Sequence, residues 1–198
     1  SYGDDDRFST CSSLFTCGNF TKVGYPFWGD GRPEYCGLPV LQLQCLEDLE
    51  GIYPYLKFGP VILSPFRILN ITVSDHDITL KLEVPAKTPC TLQERNFGDI
   101  FQLSKNVEKI KLLYNCSKGV VPNHSDGSFS CYQNHSTTPC YDVPNITMHH
   151  KYSSCKVFEI QVLKREMGFY TEVNGNVSLV INRGFEVESV FSVDGKSC

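Results

Sequence analysis

The sequence predicts a mostly β, disulfide-rich fold of two tandem small cysteine-rich β units, which we place at residues 1–100 and 101–198. Ten cysteines are spread along the 198-residue chain, and an even number at this density is typical of disulfides formed in an oxidising compartment. Several short segments alternate apolar and polar residues, as half-buried strands do. With 41% hydrophobic and 20% charged residues, the chain has the composition of a folded protein.

In the first unit, polar residues 1–10 predict a mobile lead-in, and a loop-rich segment closes in a short strand at 40–45. The clearest β signal is a hairpin, in which residues 68–73 and 78–84 flank a polar four-residue turn. Asn70 lies in its first strand and should point outward, with its apolar neighbours on the opposite face.

In the second unit, residues 91–104 are interpreted as a linker or long loop, and the Ser-, Asn-, His- and Pro-rich stretch 117–150 as a long stapled loop. The predicted strands are 107–116, 157–163, 169–173, 176–181 and 185–193; for 107–116, the window alone is also compatible with a short helix. Asn174-Gly175 is the strongest short hairpin signal in the chain.

Seven Asn-x-Ser/Thr sequons, together with the cysteines, predict a secreted and glycosylated chain with these asparagines at its surface. They are Asn19, Asn70, Asn115, Asn123, Asn134, Asn145 and Asn176. The sequence shows no signal peptide and no apolar run long enough for a membrane span. Ser1 is therefore expected to start a mature or recombinant chain.

We predict that all the cysteines form disulfides: Cys11, Cys17, Cys36, Cys45, Cys90, Cys116, Cys131, Cys140, Cys155 and Cys198. Ten cysteines allow about 945 complete pairings, so the connectivity stays open. Our hypothesis is that the first four pair among themselves. Since the chain lacks a C-x2-C pair, we predict no metal site and no cofactor.

The formal net charge is −4, and residues 1–100 carry eight Lys and Arg against thirteen Asp and Glu. A nucleic-acid partner would need a basic face, so we predict none. We also predict no enzymatic activity: Ser74, His76 and its neighbouring aspartates share one tight turn, where a catalytic triad cannot converge.

Binding of carbohydrate is a more specific hypothesis than catalysis for this chain, because sugars stack on aromatic faces and uronates need cationic donors. The candidate contacts are Lys22, Tyr25, Trp28, Arg32 and Tyr35. The alternative for Phe27 and Trp28 is the packed centre of the module, whereas Arg32 and Lys22 are expected to lie outside the core.

Two further segments leave alternatives open. Lys105, Lys109 and Lys111 are a second basic set or a solvated strand face. The apolar, aromatic stretch 51–66 is a buried strand, which we favour, or an exposed patch for a peptide or protein partner.

A fixed pattern of residue types runs through the first forty-five positions. It reads Cys11, Phe15-Thr16-Cys17-Gly18, Tyr25-Pro26-Phe27-Trp28, Cys36-Gly37-Leu38-Pro39 and Leu43-Gln44-Cys45. This pattern resembles the galacturonan-binding-type extracellular domain of plant wall-associated receptor kinases and their leaf-rust-resistance-type relatives. The second half is similar to the cysteine-rich domain that follows it, through Leu112-Leu113-Tyr114-Asn115-Cys116 and Gly184-Phe185. It departs from the family's Gly-Phe-x-Leu-x-Trp at Glu186-Val187-Glu188-Ser189.

The resemblance implies the ectodomain of a receptor-like kinase, on the extracellular side of the plasma membrane and facing the cell wall. Its expected ligand is pectin or an oligogalacturonide, and a transmembrane helix and a serine/threonine kinase are expected beyond this chain. The alternative is a receptor or co-receptor for a peptide or a secreted pathogen protein. Homo- or hetero-oligomerisation of the receptor stays open.

Overall fold

The computed structural model shows a mostly β chain with separate antiparallel sheets and three disulfides, which confirms the predicted fold class. The structure describes residues 2–56, 65–83, 100–117, 128–133, 136–142, 152–166, 181 and 183–191. The predicted hairpin around Asn174-Gly175 lies outside the described residues.

One α-helix, α1 (Tyr2–Ser12), precedes the strands, and a short 3-10 helix spans Glu34–Cys36. The first-half strands are β1 (Phe15–Cys17), β2 (Phe20–Val23), β3 (Leu43–Asp48), β4 (Gly51–Leu56), β5 (Phe66–Val73) and β6 (Ile78–Leu82). The remaining described strands are β7 (Phe101–Leu103), β8 (Val107–Tyr114), β9 (Ser128–Gln133), β10 (Ser136–Asp142), β11 (Lys156–Leu163) and β12 (Phe185–Ser189).

These strands form three sheets. β1 and β2 make a small two-stranded sheet, and a six-stranded sheet has the order β3-β4-β5-β6-β12-β7. A four-stranded sheet has the order β11-β8-β10-β9. The chain divides into a first unit of Ser1–Leu82, Asn96–Gln102 and Val187–Cys198, and a second unit of Glu83–Arg95 and Leu103–Glu186. Our division near residue 100 stays a prediction.

The predicted β5–β6 hairpin is confirmed. Val73 pairs with Ile78 across the four-residue turn, and β6 alternates buried and half-buried side chains. A register shift between Ile68 and Asn70 leaves Asn70 opposite Lys81, and the Asn70 side chain is exposed as predicted. The outer end of β5 is not covered, however, since Val73 is 47% exposed.

Each unit has its own apolar core. In the first unit it includes Phe27, Leu41, Leu43, Leu56, Phe66, Ile68, Ile78, Leu80 and Leu82. In the second unit it includes Ile110, Leu112, Leu113, Tyr114, Ile160, Val162, Leu163 and Phe185. The predicted strands at 107–116 and 157–163 are thus confirmed as β8 and β11, which pair antiparallel over eight residues each.

Four expectations about conformation were wrong. Residues 1–10 lie largely in α1, which is held at its end by the buried Cys11 rather than by helix propensity. The strand expected at 40–45 is shifted to Leu43–Asp48, because the chain around residue 41 bonds to Trp28 instead. The loop expected at 91–104 contains β7, and the one at 117–150 contains the antiparallel pair β9–β10. Strand pairing with distant residues overrides local composition at these last two places.

Candidate functional site

Two disulfides organise the N-terminal module. Cys11 pairs with Cys36 and Cys17 pairs with Cys45, so the two bridges interleave along the chain. They connect the end of α1 and β1 to the 3-10 helix and β3. The hypothesis that these four cysteines pair among themselves is confirmed. A third disulfide joins Cys116 to Cys155 in the second unit.

The aromatic pair at the centre of the module has a structural role. Phe27 is 1% exposed, which confirms the prediction that it belongs to the core. Trp28 is half-buried, and its Nε1–H donates to the carbonyl oxygen of Leu38 at 2.8 Å. Its backbone carbonyl accepts from the N–H of Leu43 at 2.8 Å. The indole is therefore fixed by its own hydrogen bond.

Arg32 corrects our expectation that this side chain lies outside the core. It is only 6% exposed, and its guanidinium donates to the carbonyl oxygens of Phe27, Cys11, Ser13 and Cys36 at 2.6–3.2 Å. The planar fork of donors on an arginine suits this task. Through these hydrogen bonds, Arg32 connects α1, the segment that contains Phe27, and the 3-10 helix.

Tyr25 and Leu14 stand between two cavities of the first unit. The first, which we call the helix cavity, has a volume of about 230 Å³ and is lined by Phe8, Ser12, Leu14, Tyr25 and Arg32, among others. The second, the strand cavity, has a volume of about 340 Å³ and is lined chiefly by Leu14, Phe20, Lys22, Tyr25, Ile71 and Val73. Small-molecule sites are concave and mostly apolar with a few polar groups; the lining of the helix cavity is mostly apolar, whereas that of the strand cavity is mixed.

Lys22 is the cation of the strand cavity. It is exposed, has a backbone φ of 60°, and forms no ion pair with any described residue. None of the residues that line this cavity is acidic. An incoming carboxylate would therefore meet one unpaired ammonium group beside a tyrosine ring.

Tyr35 is 51% exposed and lies outside both cavity linings. The guanidinium of Arg7 lies 5.4 Å from the centroid of its ring, in a cation–π arrangement. The structure thus brings Lys22 and Tyr25 together, adds Arg32 only as a structural neighbour, and leaves Trp28 and Tyr35 apart from the cavities.

Sequence reasoning missed Leu14, Ile71 and Val73, which complete the strand cavity. Leu14 and Val73 are 52% and 47% exposed, and Ile71 and Val73 come from β5, about fifty residues beyond Tyr25. The one available signal was the alternation in the predicted hairpin, which places apolar side chains on the face opposite Asn70. It could not say which element faces them.

The second basic set lies on a solvated surface, which was one of the two interpretations given for it above. Lys105, Lys109 and Lys111 are all exposed. Lys109 Nζ lies 3.5 Å from a carboxylate oxygen of Glu159 on β11.

The apolar stretch at 51–66 is buried in part. Pro54 and Leu56 of β4 are buried, whereas Ile52 is 46% exposed; residues 57–64 lie outside the described residues. On the adjoining strand and turn, Leu46 is 43% exposed and Leu49 is fully exposed. We call Leu46, Leu49 and Ile52 the hairpin tip.

A polar cluster supports the β3–β4 hairpin behind this tip. Asp48 accepts hydrogen bonds from the hydroxyl of Tyr55 at 2.7 Å, the N–H of Glu50 at 2.8 Å and the guanidinium of Arg67 at 3.2 Å. These bonds lower the pKa of Asp48 below its usual 3.8. The bond from Tyr55 has the largest effect, the bond from Glu50 comes second, and Arg67 has a smaller effect. The Arg67 guanidinium also lies 4.4 Å from the ring centroid of Tyr53.

Three sequon asparagines, Asn19, Asn70 and Asn115, are exposed, as glycosylation requires; the other four lie outside the described residues.

The Ser74 hydroxyl accepts from the N–H of Asp77 at 3.0 Å. The group that we judged unable to form a triad therefore serves the β5–β6 turn.

The described residues contain no group of three or more His, Cys, Asp or Glu placed to hold a metal ion. None of the helices in these segments is both long and apolar enough to cross a membrane.

A mostly β module stapled by interleaved disulfides, with a cavity walled by aliphatic and aromatic side chains, is typical of extracellular binding domains. Residues 11–82 match the family described as wall-associated receptor kinase galacturonan-binding. That segment is therefore a galacturonan-binding domain of the wall-associated receptor kinase type.

The chain is homologous over most of its length to receptor-like kinases of Arabidopsis thaliana. It is 27% identical, over 91% of its residues, to leaf rust 10 disease-resistance locus receptor-like protein kinase-like 2.8. It is 26% identical, over 95%, to the relative numbered 1.3. The match to the relative numbered 2.4 is 52% identical over 42 residues, or 21% of the chain. No solved structure matches the chain significantly.

The chain spans only 19% and 26% of the first and second of these relatives, and 7% of the third. Its 198 residues hold no kinase domain.

Proposed function

We propose that this chain is the ligand-binding ectodomain of a plant receptor-like kinase, which senses galacturonan of the cell wall through the strand cavity. The match of residues 11–82 to the galacturonan-binding family carries the proposal. In the full-length protein, a transmembrane helix would hold this glycosylated part outside the plasma membrane, and a serine/threonine kinase inside the cell would relay the signal.

Within the domain, Lys22 and Tyr25 are the ligand contacts that we favour. The Lys22 ammonium would donate to a uronate carboxylate, and the Tyr25 ring would pack against a sugar face. Trp28 and Tyr35 remain candidates for a longer ligand, because both have some exposed surface. Arg32 would contribute by holding Phe27 and α1 in place, since its donors are directed at backbone carbonyl oxygens.

The test is direct binding of sized oligogalacturonides to the glycosylated chain, measured by calorimetry. We expect Lys22→Gln to weaken binding about fivefold, as for loss of an exposed ion pair. The matched control is Lys111→Gln, which removes an exposed lysine of the second unit and should leave binding unchanged. Absence of binding by the unaltered chain would refute the pectin proposal.

A second candidate function is recognition of a peptide or protein, and the hairpin tip is the observation that favours it. Its three large apolar side chains are exposed on one hairpin, with Leu46 and Ile52 on opposite faces of it, and exposed apolar surface is a feature of partner sites. One feature weighs against it: a Cβ on Gly18 would lie 1.9 Å from the carbonyl oxygen of Ile52, so the adjacent sequon Asn19 is beside this surface. Occupied glycans and protein interfaces rarely share a surface, so mapping the glycan at Asn19 separates the two functions.

A further inference from the structure

We infer that the open edge of β3 pairs with β3 of a second copy of this chain, so that the chain forms a symmetric dimer. This inference goes beyond the proposed function and does not depend on the strand cavity. β3 stands at the end of the order of the six-stranded sheet, beside β4. Its other edge carries backbone groups to which a further strand can bind.

The direction of the backbone groups along β3 follows from two contacts. The N–H of Leu43 donates to the carbonyl oxygen of Trp28 at 2.8 Å and so points away from β4. Pro54, which faces Cys45 on β4, has no N–H to exchange with it. Because the direction alternates along a strand, the N–H and C=O groups of Cys45 and Glu47 also point away from β4.

This edge is accessible. Within the described part of the chain, no backbone hydrogen bond reaches the outward N–H and C=O groups of Cys45 and Glu47. Cys45 is half-buried, and the side chains around it, those of Gln44, Leu46, Glu47 and Asp48, are exposed. A strand that approached from this side would therefore find unused donors and acceptors.

A glycan at the nearby sequon would lie on the far side of β4. Ile52 faces Glu47, and because the backbone groups of Glu47 point away from β4, those of Ile52 point away from β3. A Cβ on Gly18 would lie 1.9 Å from the carbonyl oxygen of Ile52. Gly18 and the adjacent Asn19 are therefore separated from the open edge by β3 and β4 themselves.

The open edge is self-complementary in one antiparallel register. A twofold axis at Leu46 places Cys45 of each copy opposite Glu47 of the other, and these two pairs exchange N–H···O=C hydrogen bonds, two per pair. Leu46 then meets Leu46 of the second copy in a non-hydrogen-bonded pair, where side chains come closest. Gln44 meets Asp48, whose carboxylate can accept from its amide, and no two like charges lie directly opposite.

The same register joins two apolar rows. Leu46 is 43% exposed and lies opposite Tyr53 of β4, on the same face of the sheet. Across the axis, the row continues with Leu46 and Tyr53 of the second copy, so pairing removes apolar surface of both leucines from water. An unrelated peptide could satisfy the backbone groups, but a second copy also supplies the matching leucine and the Gln44–Asp48 pairs.

One feature opposes the dimer and gives it a signature. Glu47 lies on the diagonal from Glu47 of the second copy, and like charges at this spacing repel each other. We therefore expect a weak dimer with a Kd on the order of 100 μM, as for other small, transient interfaces. Its affinity should rise with salt, because salt screens the repulsion.

Sedimentation equilibrium of the glycosylated chain measures this association, at concentrations from about tenfold below to about tenfold above that Kd. We expect a monomer–dimer equilibrium. A monomer over the whole range overturns the inference, whether or not oligogalacturonides bind. A dimer that binds no oligogalacturonide refutes the proposed function and leaves the inference standing.

Two changes at Glu47 should act in opposite directions. Glu47→Gln keeps the N–H and removes the repelling charge, so the Kd should fall about threefold. Glu47→Pro removes an N–H that points away from β4 and thus two hydrogen bonds of the dimer, so the Kd should rise about tenfold or more. A dimer whose Kd is the same in both variants uses another surface and overturns the inference.

Leu46→Asp tests the register without a change to the backbone. It places two carboxylates directly opposite each other at the axis, so dimerisation should be lost. Val190→Asp adds the same charge at a residue that is 52% exposed and follows β12, towards the other end of the sheet order, and it should leave the dimer intact. Equal losses in these two variants would overturn the assignment to β3.

Discussion

The four backbone carbonyl oxygens that surround the Arg32 guanidinium come from both sides of the first disulfide. Charge alone predicts an exposed arginine, because buried arginines are rare unless they are paired. Here carbonyl dipoles replace the water around the cation. The residue that we expected to contact ligand thus holds the module together.

Replacing Arg32 should therefore destabilise the fold of the domain, and not only affect ligand binding. We expect Arg32→Lys to lower the free energy of unfolding by about 2–4 kcal/mol, because an ammonium group cannot serve all the carbonyl oxygens and leaves some buried without a donor. Urea denaturation under non-reducing conditions measures the change. Arg7→Lys, at an exposed site, is the matched control, and equal stability of the two variants would contradict this role for Arg32.

At the scale of elements, the β3–β4 hairpin depends on the ionised form of Asp48. Because the folded-state pKa of Asp48 is lowered, its contribution to stability is present above the unfolded value of about 3.8 and is lost as the pH falls through the lower folded value. The hairpin should therefore weaken in acid.

Asp48→Asn tests this dependence. We expect the variant to be less stable than the unaltered chain near neutral pH, and the difference to shrink once the pH falls below the folded-state pKa of Asp48. Thermal unfolding followed across the acid range would show it. Asp75→Asn removes an exposed carboxyl from the β5–β6 turn and controls for net charge; a constant difference for Asp48→Asn at every pH would contradict the explanation.

Elements were predictable where the pattern that specifies them is local. The sequences of β6, β8 and β11 alternate apolar and polar residue types over part of each strand, so their periodicity is visible without the rest of the chain. α1 and β7 lack such a pattern, and both depend on contacts with distant residues: Cys11 with Cys36, and Ile100 with Val190. Local reasoning could not supply those partners.

The candidate site was predictable only where a local pattern in the sequence specifies it. Lys22 and Tyr25 lie within the cysteine pattern, where the four cysteines pair as expected. Leu14, Ile71 and Val73 join them only through tertiary packing. The burial of Arg32 could not be predicted from the sequence, because it depends on carbonyl oxygens as far as twenty-one positions away in the chain.

For the whole molecule, a net charge of −4 opposes capture of a polyanion at long range. In the proposed site, salt would weaken the contact of a ligand carboxylate with Lys22 but would also screen this repulsion. We therefore expect the affinity for oligogalacturonides to change by less than about tenfold between low and physiological salt. Titration at several salt concentrations measures it. A steep loss would instead indicate binding to several cations, with Lys105, Lys109 and Lys111 as the alternative site.

The interleaving of Cys11–Cys36 with Cys17–Cys45 has a consequence for resistance to proteolysis. A protease that cuts anywhere between Cys17 and Cys36 leaves both cysteines of the N-terminal fragment bonded to cysteines of the C-terminal fragment. The cleaved protein remains one covalently linked molecule, so neither fragment can diffuse away after a cut in this loop. Damage to this loop would be visible on a gel only after reduction.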